Sequence, residues 1–531
     1  MRRPNANGLD RPTLVVAGVA TVGLIMAVLD TTIVNVALDS LSRDLHAPLM
    51  TIQWVSTGYL LSLAVMIPIS GWVTERFGSK RTWIASIGLF AFGSTLCAFA
   101  TSAGELIAFR VVQGLGGGML LPVGFTLIAQ SAGPKRVGQA FALVGVPILL
   151  GPILGPIIGG LIVDGATWQW IFVVNVPIAV VAIVVAARLL RPDAGRADAG
   201  AFDWVGTALL CPGLAGIVFG LSEVESHGGI GHPIAFGPII AGFGFVTLFV
   251  WHSLRVPRPL IELRLFRLSR FRAAATTTFL LGAALFGTLL VLPLYYQVDR
   301  GQSALGAGLL LAPQGIGAAV MLPISGRLTD RIGGGPVVVA GCCLVALATL
   351  PLALVSDHTP YALLAGVLFI RGLGLGASIQ PATAAAYAVL DSSQVPRATA
   401  ALNTVRQVGG SIGTALLAVV LQHEAVKALS SASGAAGGLL APLPAAERAQ
   451  ISTPVATAFG HTFMWAAVLA LLAIVPAIAL LRAEHASRAP TSPRPPRSSP
   501  STASPAAVGD APATSVSPGA RDGELPAPES A

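Results

Sequence analysis

The sequence predicts an all-α polytopic membrane protein with about fourteen transmembrane helices, and three observations lead to this fold class. Of its 531 residues, 54% are hydrophobic and 11% are charged, whereas about 25% are charged in a typical soluble domain. Apolar runs of roughly 20 residues, the length that crosses a bilayer, recur along the chain. The two halves of the chain also share an internal repeat. Since unpaired backbone groups are not tolerated in lipid, runs of this length must be helices.

Fourteen apolar runs give the expected spans. The first follows Arg2, Arg3 and Arg11 but is not followed by a small-x-small cleavage site, so we expect an uncleaved span and not a signal peptide. Glycine and proline interrupt the seventh and eighth runs. The expected spans are 13–38, 51–73, 82–102, 105–130, 138–163, 170–190, 204–223, 233–254, 272–298, 303–326, 336–356, 360–386, 398–422 and 460–482.

Lysine and arginine in the short loops predict the orientation, because positive residues accumulate on the cytoplasmic side. The loops after even-numbered spans hold Arg76, Lys80, Arg81, Lys135, Arg136, Arg188, Arg191, Arg196, Arg255, Arg258, Arg264, Arg267, Arg270, Arg272, Arg327, Arg331 and Arg397. The opposite loops hold mainly Arg43, Arg300, Lys427 and Arg448. Both termini are therefore predicted to be cytoplasmic. The net charge of +8 fits this pattern better than nucleic-acid binding, which we do not expect.

A repeated motif divides the chain into two related halves. Gly71–Gly78 and Gly326–Gly333 both read G-x-x-T-[DE]-R-x-G, each at the exit of a span. Parallel repeats around a cavity are typical of secondary transporters. The expected domains are a cytoplasmic N-terminus (1–12), a six-helix bundle (13–190), two inserted helices with linkers (191–271), a second six-helix bundle (272–482) and a disordered Pro/Ser/Ala-rich cytoplasmic tail (483–531). We also expect a longer outside loop at about 424–459.

The repeated motif is a candidate conformational latch on the cytoplasmic side. An acid beside an arginine at a helix end can pair with a neighbouring helix or its dipole. Ordinary interfacial anchoring is the alternative, and recurrence in both halves favours the latch. The candidate latch residues are Gly71, Glu75, Arg76, Gly78, Gly326, Asp330 and Arg331.

Charged residues inside spans are costly and indicate function. Asp30 is the only carboxylate well inside a predicted span, and burial favours the protonated form of a carboxyl group. Asp30 is therefore a candidate proton or cation site, and packing against a neighbour is the alternative. Arg110 must face a partner or a wet cavity, unless it extends to the interface. Further intramembrane polar residues are Asn35, Gln113, Arg371 and Arg406.

The fifth span combines small residues at spacing four with prolines. Its motif residues are Gly151, Pro152, Gly155, Pro156, Gly159 and Gly160. Glycines at this spacing let helix backbones touch, and proline bends a helix. Simple packing would explain any one such pair.

Together these motifs resemble the major facilitator superfamily, and within it the fourteen-span drug:proton antiporters, to which the staphylococcal quaternary-ammonium exporters belong. The resemblance covers about residues 13–482 and includes the stretches 29–38, 110–118, 145–160, 168–177 and 403–413. It implies the major facilitator fold, with two six-helix bundles plus two inserted helices. It also implies that Arg110 takes part in proton coupling and that the fifth-span motif marks an exporter. Glu75 departs from the family pattern, in which aspartate is usual.

The resemblance implies proton-coupled efflux of small organic compounds in a bacterial plasma membrane, as in drug or antibiotic resistance. The chain has no Walker A, HExxH or CxxC motif, so we expect no enzyme activity, no metal site and no cofactor, with a proton gradient as the energy source. The expected partners are a drug-like small molecule, protons and the lipid bilayer, and we expect a monomer. Few intramembrane acids favour neutral, amphipathic or monocationic substrates. An uptake carrier and a membrane receptor are the rival functions.

Overall fold

The structure is a computed structural model, which describes residues 9–133, 136–192, 200–227, 233–356, 358–432 and 445–488. These residues form α-helices and short helical turns, and no strand occurs among them. The helices are α1 (Arg11–Asp44), α2 (Leu49–Phe77), α3 (Ser79–Ala98), α4 (Ala103–Ala132), α5 (Val137–Gly165), α6 (Trp170–Val173), α7 (Asn175–Leu189), α8 (Trp204–His227), α9 (Pro233–Arg255), α10 (Ser269–Leu294), α11 (Ala304–Ile332), α12 (Gly334–Thr349), α13 (Tyr361–Tyr387), α14 (Val395–Ala432), α15 (Ala445–Leu472) and α16 (Ile474–Arg488). A π-helical turn (Tyr295–Asp299) extends α10, and 3-10 turns occupy Leu263–Arg267 and Leu350–Leu354.

Every predicted span coincides with a helix, and the all-α polytopic prediction is confirmed. The sixth span is divided at Val174 into α6 and α7, and the last is divided at Ala473 into α15 and α16. Twelve helical segments of the described chain are long and apolar enough to cross a membrane. Outside those twelve, α3 packs on α4 and α5 packs on α1 within the first bundle, and α5 also packs on α11 of the second.

The expected outside loop at 424–459 is wrong at both ends. Helix α14 continues to Ala432, and α15 begins at Ala445. Both segments are rich in alanine, which has the highest helix propensity. The loop was predicted from low hydropathy, which indicates that a segment is unsuited to lipid but not that it is non-helical. The predicted disordered tail begins too early at residue 483, because α16 continues to Arg488. Residues 433–444 and the rest of the predicted tail lie outside the described residues.

Helix packing repeats between the halves. In the first half α1 packs on α5, α2 on α4 and α3 on α4, while in the second α10 packs on α14, α11 on α13 and α12 on α13. Across the halves, α5 meets α11 and α2 meets α14. These two crossings place the repeated motifs against the opposite half. The exact domain boundaries stay a prediction.

The pair α8 and α9 lies beside this repeated arrangement. Helix α8 packs on α9, α2 and α14, whereas α9 contacts mainly α8 and the turn Leu263–Arg267. Much of α9 is exposed apolar surface, including Ile240, Phe243 and Trp251. An apolar outer face of this kind suits contact with lipid.

Candidate functional site

A buried ion pair joins the two charged residues that the sequence singled out in the first half. The Nη1 atom of Arg110 on α4 lies 2.6 Å from Oδ2 of Asp30 on α1. Both side chains are about 1% exposed or less. An ionised pair so deep in the protein persists only when its remaining hydrogen-bonding groups are also satisfied.

Three polar side chains satisfy the remaining hydrogen-bonding groups of this ion pair. Asp30 Oδ1 accepts from Gln113 Nε2 at 2.8 Å and from Asn175 Nδ2 at 3.2 Å. Gln113 Oε1 in turn accepts from Arg110 Nη1 at 2.8 Å. Ser94 accepts from both amides and donates to the carbonyl of Phe172 at 2.9 Å. We call Asp30, Arg110, Gln113, Asn175 and Ser94 the carboxylate network.

Helix α2 closes the carboxylate network from one side. Arg110 Nε donates to the carbonyl of Val55 at 3.2 Å, and the Tyr59 ring lies 3.9 Å from the guanidinium carbon. A cation over an aromatic face is favourable, especially away from water. Arg110 is therefore held by a carboxylate, an amide, a backbone carbonyl and a ring, and its snorkelling to the interface is excluded.

The second half repeats the arginine without the acid. Arg371 on α13 is 1% exposed. Its Nη1 donates to Gln314 Oε1, its Nε to Thr349 Oγ1 at 3.3 Å and its Nη2 to the Ala284 carbonyl at 3.4 Å. These acceptors are neutral, and within the described chain no carboxylate lies at ion-pair distance from Arg371.

The remaining intramembrane candidates differ in their surroundings. Arg406 on α14 is partly exposed, donates to Asn403 Oδ1 at 2.6 Å and lies 5.8 Å from the Phe125 ring centroid. Asn35 lies on α1, but its side chain is outside the described set.

The first copy of the repeated motif meets α14. Arg397 Nη2 lies 2.7 Å from Glu75 Oε2, and both side chains are about one-tenth exposed. Gly71 allows this approach, since a Cβ there would lie 3.2 Å from the Arg397 Cα. We call the pair of Glu75 and Arg397 the first loop contact.

The second copy of the motif meets α5. Asp330 accepts from the backbone N–H groups of Gly138 and Gln139, both at 3.1 Å. Gly326 packs against the carbonyl of Gly138, to which an added Cβ would come within 2.8 Å. We call the bonds from Gly138 and Gln139 to Asp330 the second loop contact. The carboxylate there faces the positive end of a helix dipole.

The motif glycines and arginines end the two helices in the same way. Gly78 has φ of 87° and Gly333 has φ of 98°, a region that other residues rarely adopt. Each glycine N–H bonds the threonine carbonyl four residues earlier. Arg76 and Arg331 are exposed at these helix ends.

The glycines of the fifth-span motif pack on α1. A Cβ at Gly151 or Gly155 would overlap the side chains of Val28 or Thr32, and one at Gly159 would lie 3.1 Å from the Ile33 carbonyl. Gly160 differs, since no heavy atom lies within 4 Å of its Cβ position. The side chains of Pro152 and Pro156 are outside the described set.

Three side chains of the carboxylate network and the first loop contact were not predicted as site residues. Asn175 and Ser94 join the carboxylate network, and Arg397 completes the first loop contact. Asn175 carried a signal, because a buried amide in an apolar span needs a partner. The described residues contain no group of three or more His, Cys, Asp or Glu side chains able to hold a metal ion.

Comparison with protein families and curated proteins gives a consistent result. Residues 20–414 match the Major Facilitator Superfamily. The chain is 38% identical over 494 residues to the "Multidrug resistance protein B homolog" of Mycobacterium tuberculosis, covering 90% of this chain and 91% of that protein. It is 28% identical over 424 residues to the "Lincomycin resistance protein LmrB" of Listeria innocua, covering 80% and 89% of the two chains.

Solved structures share the fold at low sequence identity. The human organic anion transporter MFSD10 matches with a TM-score of 0.61 and 16% identity, covering 88% of this chain and all of that chain. The proton:xylose symporter XylE matches with a TM-score of 0.56 and 14% identity, covering 86% and 94%. At such identities the likeness concerns the fold alone, and it confirms the predicted major facilitator fold.

Proposed function

Because the chain belongs to the Major Facilitator Superfamily, a family of transporters, we propose that it is a proton-driven exporter of small organic compounds. It is a carrier and not an enzyme, and it would work by alternating access between its two halves. The observation that carries the proposal is the buried ion pair of Asp30 and Arg110. A carboxylate that exchanges its arginine partner for a proton can couple proton entry to a conformational change.

The position of the carboxylate network supports proton uptake from outside. Arg110 lies seven residues after Ala103, the first residue of α4, which corresponds to about 10 Å along the helix. In the predicted orientation this end of α4 faces outward. A proton that neutralises Asp30 would release Arg110, and the cost of leaving that cation buried would drive the rearrangement.

The loop contacts support a role in alternation. Both join one half to the other at the end predicted to be cytoplasmic, so they would hold that side closed while the outside is open. Proton release inside would follow their opening. The names of the two curated relatives, which refer to multidrug and lincomycin resistance, favour export over uptake.

The energetics are sufficient for export. One proton that moves down a potential of roughly 100 mV supplies about 2.3 kcal/mol. At about 1.4 kcal/mol per tenfold ratio, this sustains a gradient of roughly 40-fold for a neutral substrate. We propose a bacterial plasma-membrane location with both termini cytoplasmic, a monomer as the working unit and no cofactor.

Dye accumulation in cells tests the proposal. Cells that express the chain should accumulate less of at least one compound in a panel of anionic, neutral and cationic dyes than cells expressing Asp30→Asn. A protonophore should abolish this difference. Equal accumulation across the panel would contradict export, and higher accumulation with the wild-type chain would indicate an uptake carrier.

A further inference from the structure

The second half leaves two arginines inside the membrane without a carboxylate partner. Within the described residues neither Arg371 nor Arg406 lies at ion-pair distance from an acid. In the first half, Asp30 neutralises Arg110. The interior is therefore positive on the side of α13 and α14, and its low polarity strengthens the effect of each uncompensated charge.

Arg371 is closed to any ligand. It is 1% exposed, and each of its three nitrogen atoms donates to a neutral acceptor within the second half. Because its hydrogen-bonding groups are occupied, Arg371 offers a ligand no direct contact.

Arg406 is accessible and less fully bonded. Its side chain is partly exposed, and Asn403 is the hydrogen-bond partner that the described structure gives its guanidinium group. A guanidinium group has five N–H donors in a planar fork that matches a carboxylate. Free donors beside exposed surface are the condition for binding an external acceptor.

The surroundings of Arg406 lie between the two halves and not toward lipid. Its guanidinium carbon lies 5.8 Å from the centroid of Phe125, a buried residue of α4. Phe125 packs edge-on to Phe141, which packs edge-on to Tyr387, with centroid distances of 5.3 and 5.4 Å. A cation therefore borders an aromatic cluster built from α4, α5 and α13.

The depth of Arg406 fits a binding site reached from the cytoplasm. Arg406 lies eleven residues after Val395, the first residue of α14, which corresponds to about 16 Å of helix. In the predicted orientation α14 begins on the cytoplasmic side. Arg406 is thus near the middle of the membrane, between the loop contacts and the end of the bundle that holds the carboxylate network.

We propose that Arg406 binds the acidic group of amphipathic organic anions, and that aromatic carboxylates are preferred substrates. The Phe125, Phe141 and Tyr387 cluster is buried in this conformation, and the aromatic body would pack against it once the two halves separate on the cytoplasmic side. This inference rests on the proposed export function and differs from the sequence-based expectation of neutral or monocationic compounds. That expectation counted missing acids and did not weigh the uncompensated arginines.

Binding of two dyes on one scaffold tests the proposal. Fluorescein is anionic at neutral pH, while rhodamine 123 is a cation with the same xanthene rings. We expect fluorescence anisotropy with the purified full chain to show at least about tenfold tighter binding of fluorescein. Arg406→Gln should remove this preference, and Arg406→Lys should retain part of it. Arg371→Gln is the matched control, because it removes a buried cation whose hydrogen-bond donors are already occupied. It should change fluorescein affinity by no more than about threefold.

The results distinguish this inference from the export function. No fluorescein binding, equal binding of the two dyes, or an unchanged preference in Arg406→Gln would overturn the anion site. Proton-driven export of both dyes from loaded proteoliposomes without selectivity would also overturn it while supporting export. Arg406-dependent fluorescein binding without proton-driven transport would support the anion site and contradict the proposed exporter.

Discussion

Arg110 and Arg371 occupy equivalent places in the two halves, yet the first pairs with a carboxylate and the second with neutral groups. Arg110 contacts Asp30 on α1, whereas Arg371 contacts Gln314 on α11, Thr349 and a backbone carbonyl. Both side chains are fully buried. The halves thus share a buried cation but differ in whether a proton can compete for its partner.

Packing does not differ in this way. Gly155 of α5 closes against Thr32 of α1, and Gly413 of α14 closes against Ala283 of α10. Gly155 meets a side chain and Gly413 a backbone carbonyl, but in each half the fifth helix packs on the first through a glycine. The repeat has therefore kept its helix contacts, which small residues at spacing four provide. Among the described residues, however, only the first half pairs its buried arginine with a carboxylate.

This difference indicates that the two halves have different roles in transport. The first half contains a group that changes charge, and the second half contains fixed positive charge. We expect proton coupling to depend on Asp30 and Arg110 in the first half, and substrate charge preference to depend on Arg406 in the second. Four predictions test the comparison, beginning with the largest expected effect.

Asp30→Asn should abolish uphill transport. Asparagine keeps the size and much of the hydrogen bonding of Asp30 but cannot exchange a proton, so transport driven by a pH gradient should fall by at least about 100-fold. Proton-driven dye efflux from proteoliposomes measures this loss. Because Arg110 then lacks its counter-ion, the free energy of unfolding should also fall by about 3–5 kcal/mol.

A double variant separates coupling from stability. Asp30→Asn combined with Arg110→Gln removes both charges, and thermal unfolding followed by tryptophan fluorescence should show much of the stability restored. Transport should remain uncoupled. Restored coupling in the double variant would contradict the role of Asp30.

The two arginines should respond differently to the same substitution. Arg110→Gln leaves a buried carboxylate without a cation and should cost about 3–5 kcal/mol of unfolding free energy. Arg371→Gln removes a cation whose partners are neutral. It should lower the free energy of unfolding by about 1–3 kcal/mol, because some of those acceptors are left unsatisfied. Proton coupling should survive in Arg371→Gln and be lost in Arg110→Gln. Equal loss of coupling would remove the distinction between the halves.

The sequence identified several residues of the carboxylate network and the loop contacts, but not the groups that these residues contact. Asp30, Arg110 and Gln113 could be selected because charge and amides are costly in a span. Asn175 and Ser94 could not be assigned to the same network, because the convergence of α1, α3, α4 and α7 depends on tertiary packing. Glu75 and Asp330 were selected by the repeat.

The partners of the two motif acids differ in a way that a sequence repeat does not reveal. Arg397 is a side chain about 320 residues away from Glu75, while Asp330 uses backbone N–H groups at the start of α5. The number of spans depended on hydropathy, which also carried most of the fold-class prediction. The alanine-rich segments at 424–432 and 445–459 were misread because helicity does not require apolarity.

Alanine at equivalent glycines should destabilise both halves alike. Gly155→Ala and Gly413→Ala each place a methyl group against an occupied site, so we expect a cost of about 2 kcal/mol for each. Gly160→Ala is the matched control, because its Cβ position has open space, and its effect should stay within about 0.5 kcal/mol. Thermal unfolding in detergent compares the three. A large effect in one half alone would show that packing is not shared.

Replacing the acid of each loop contact by an amide should open the predicted cytoplasmic side by modestly different amounts. Glu75→Gln removes a charge that faces Arg397 and should favour opening of the predicted cytoplasmic side by about 1.5 kcal/mol, roughly tenfold in population. Asp330→Asn keeps an oxygen that can accept one of the two backbone N–H groups, so we expect a shift of about 0.7 kcal/mol, roughly threefold. Spin-label distances between the α2 and α14 ends, and between the α5 and α11 ends, measure these populations.

An exchanged pair provides the control for the first loop contact. Glu75→Arg combined with Arg397→Glu reverses both charges. Glu262→Gln is added because Glu262 Oε2 lies 4.0 Å from Arg397 Nη1 and would repel the new carboxylate. This triple variant should return the population toward the wild-type value, which Glu75→Arg alone should not. No comparable exchange exists for the second loop contact, since its donors are backbone groups. If Asp330→Asn opened the bundle more than Glu75→Gln did, the helix N-terminus would be the stronger of the two partners, and the ranking of the loop contacts would be reversed.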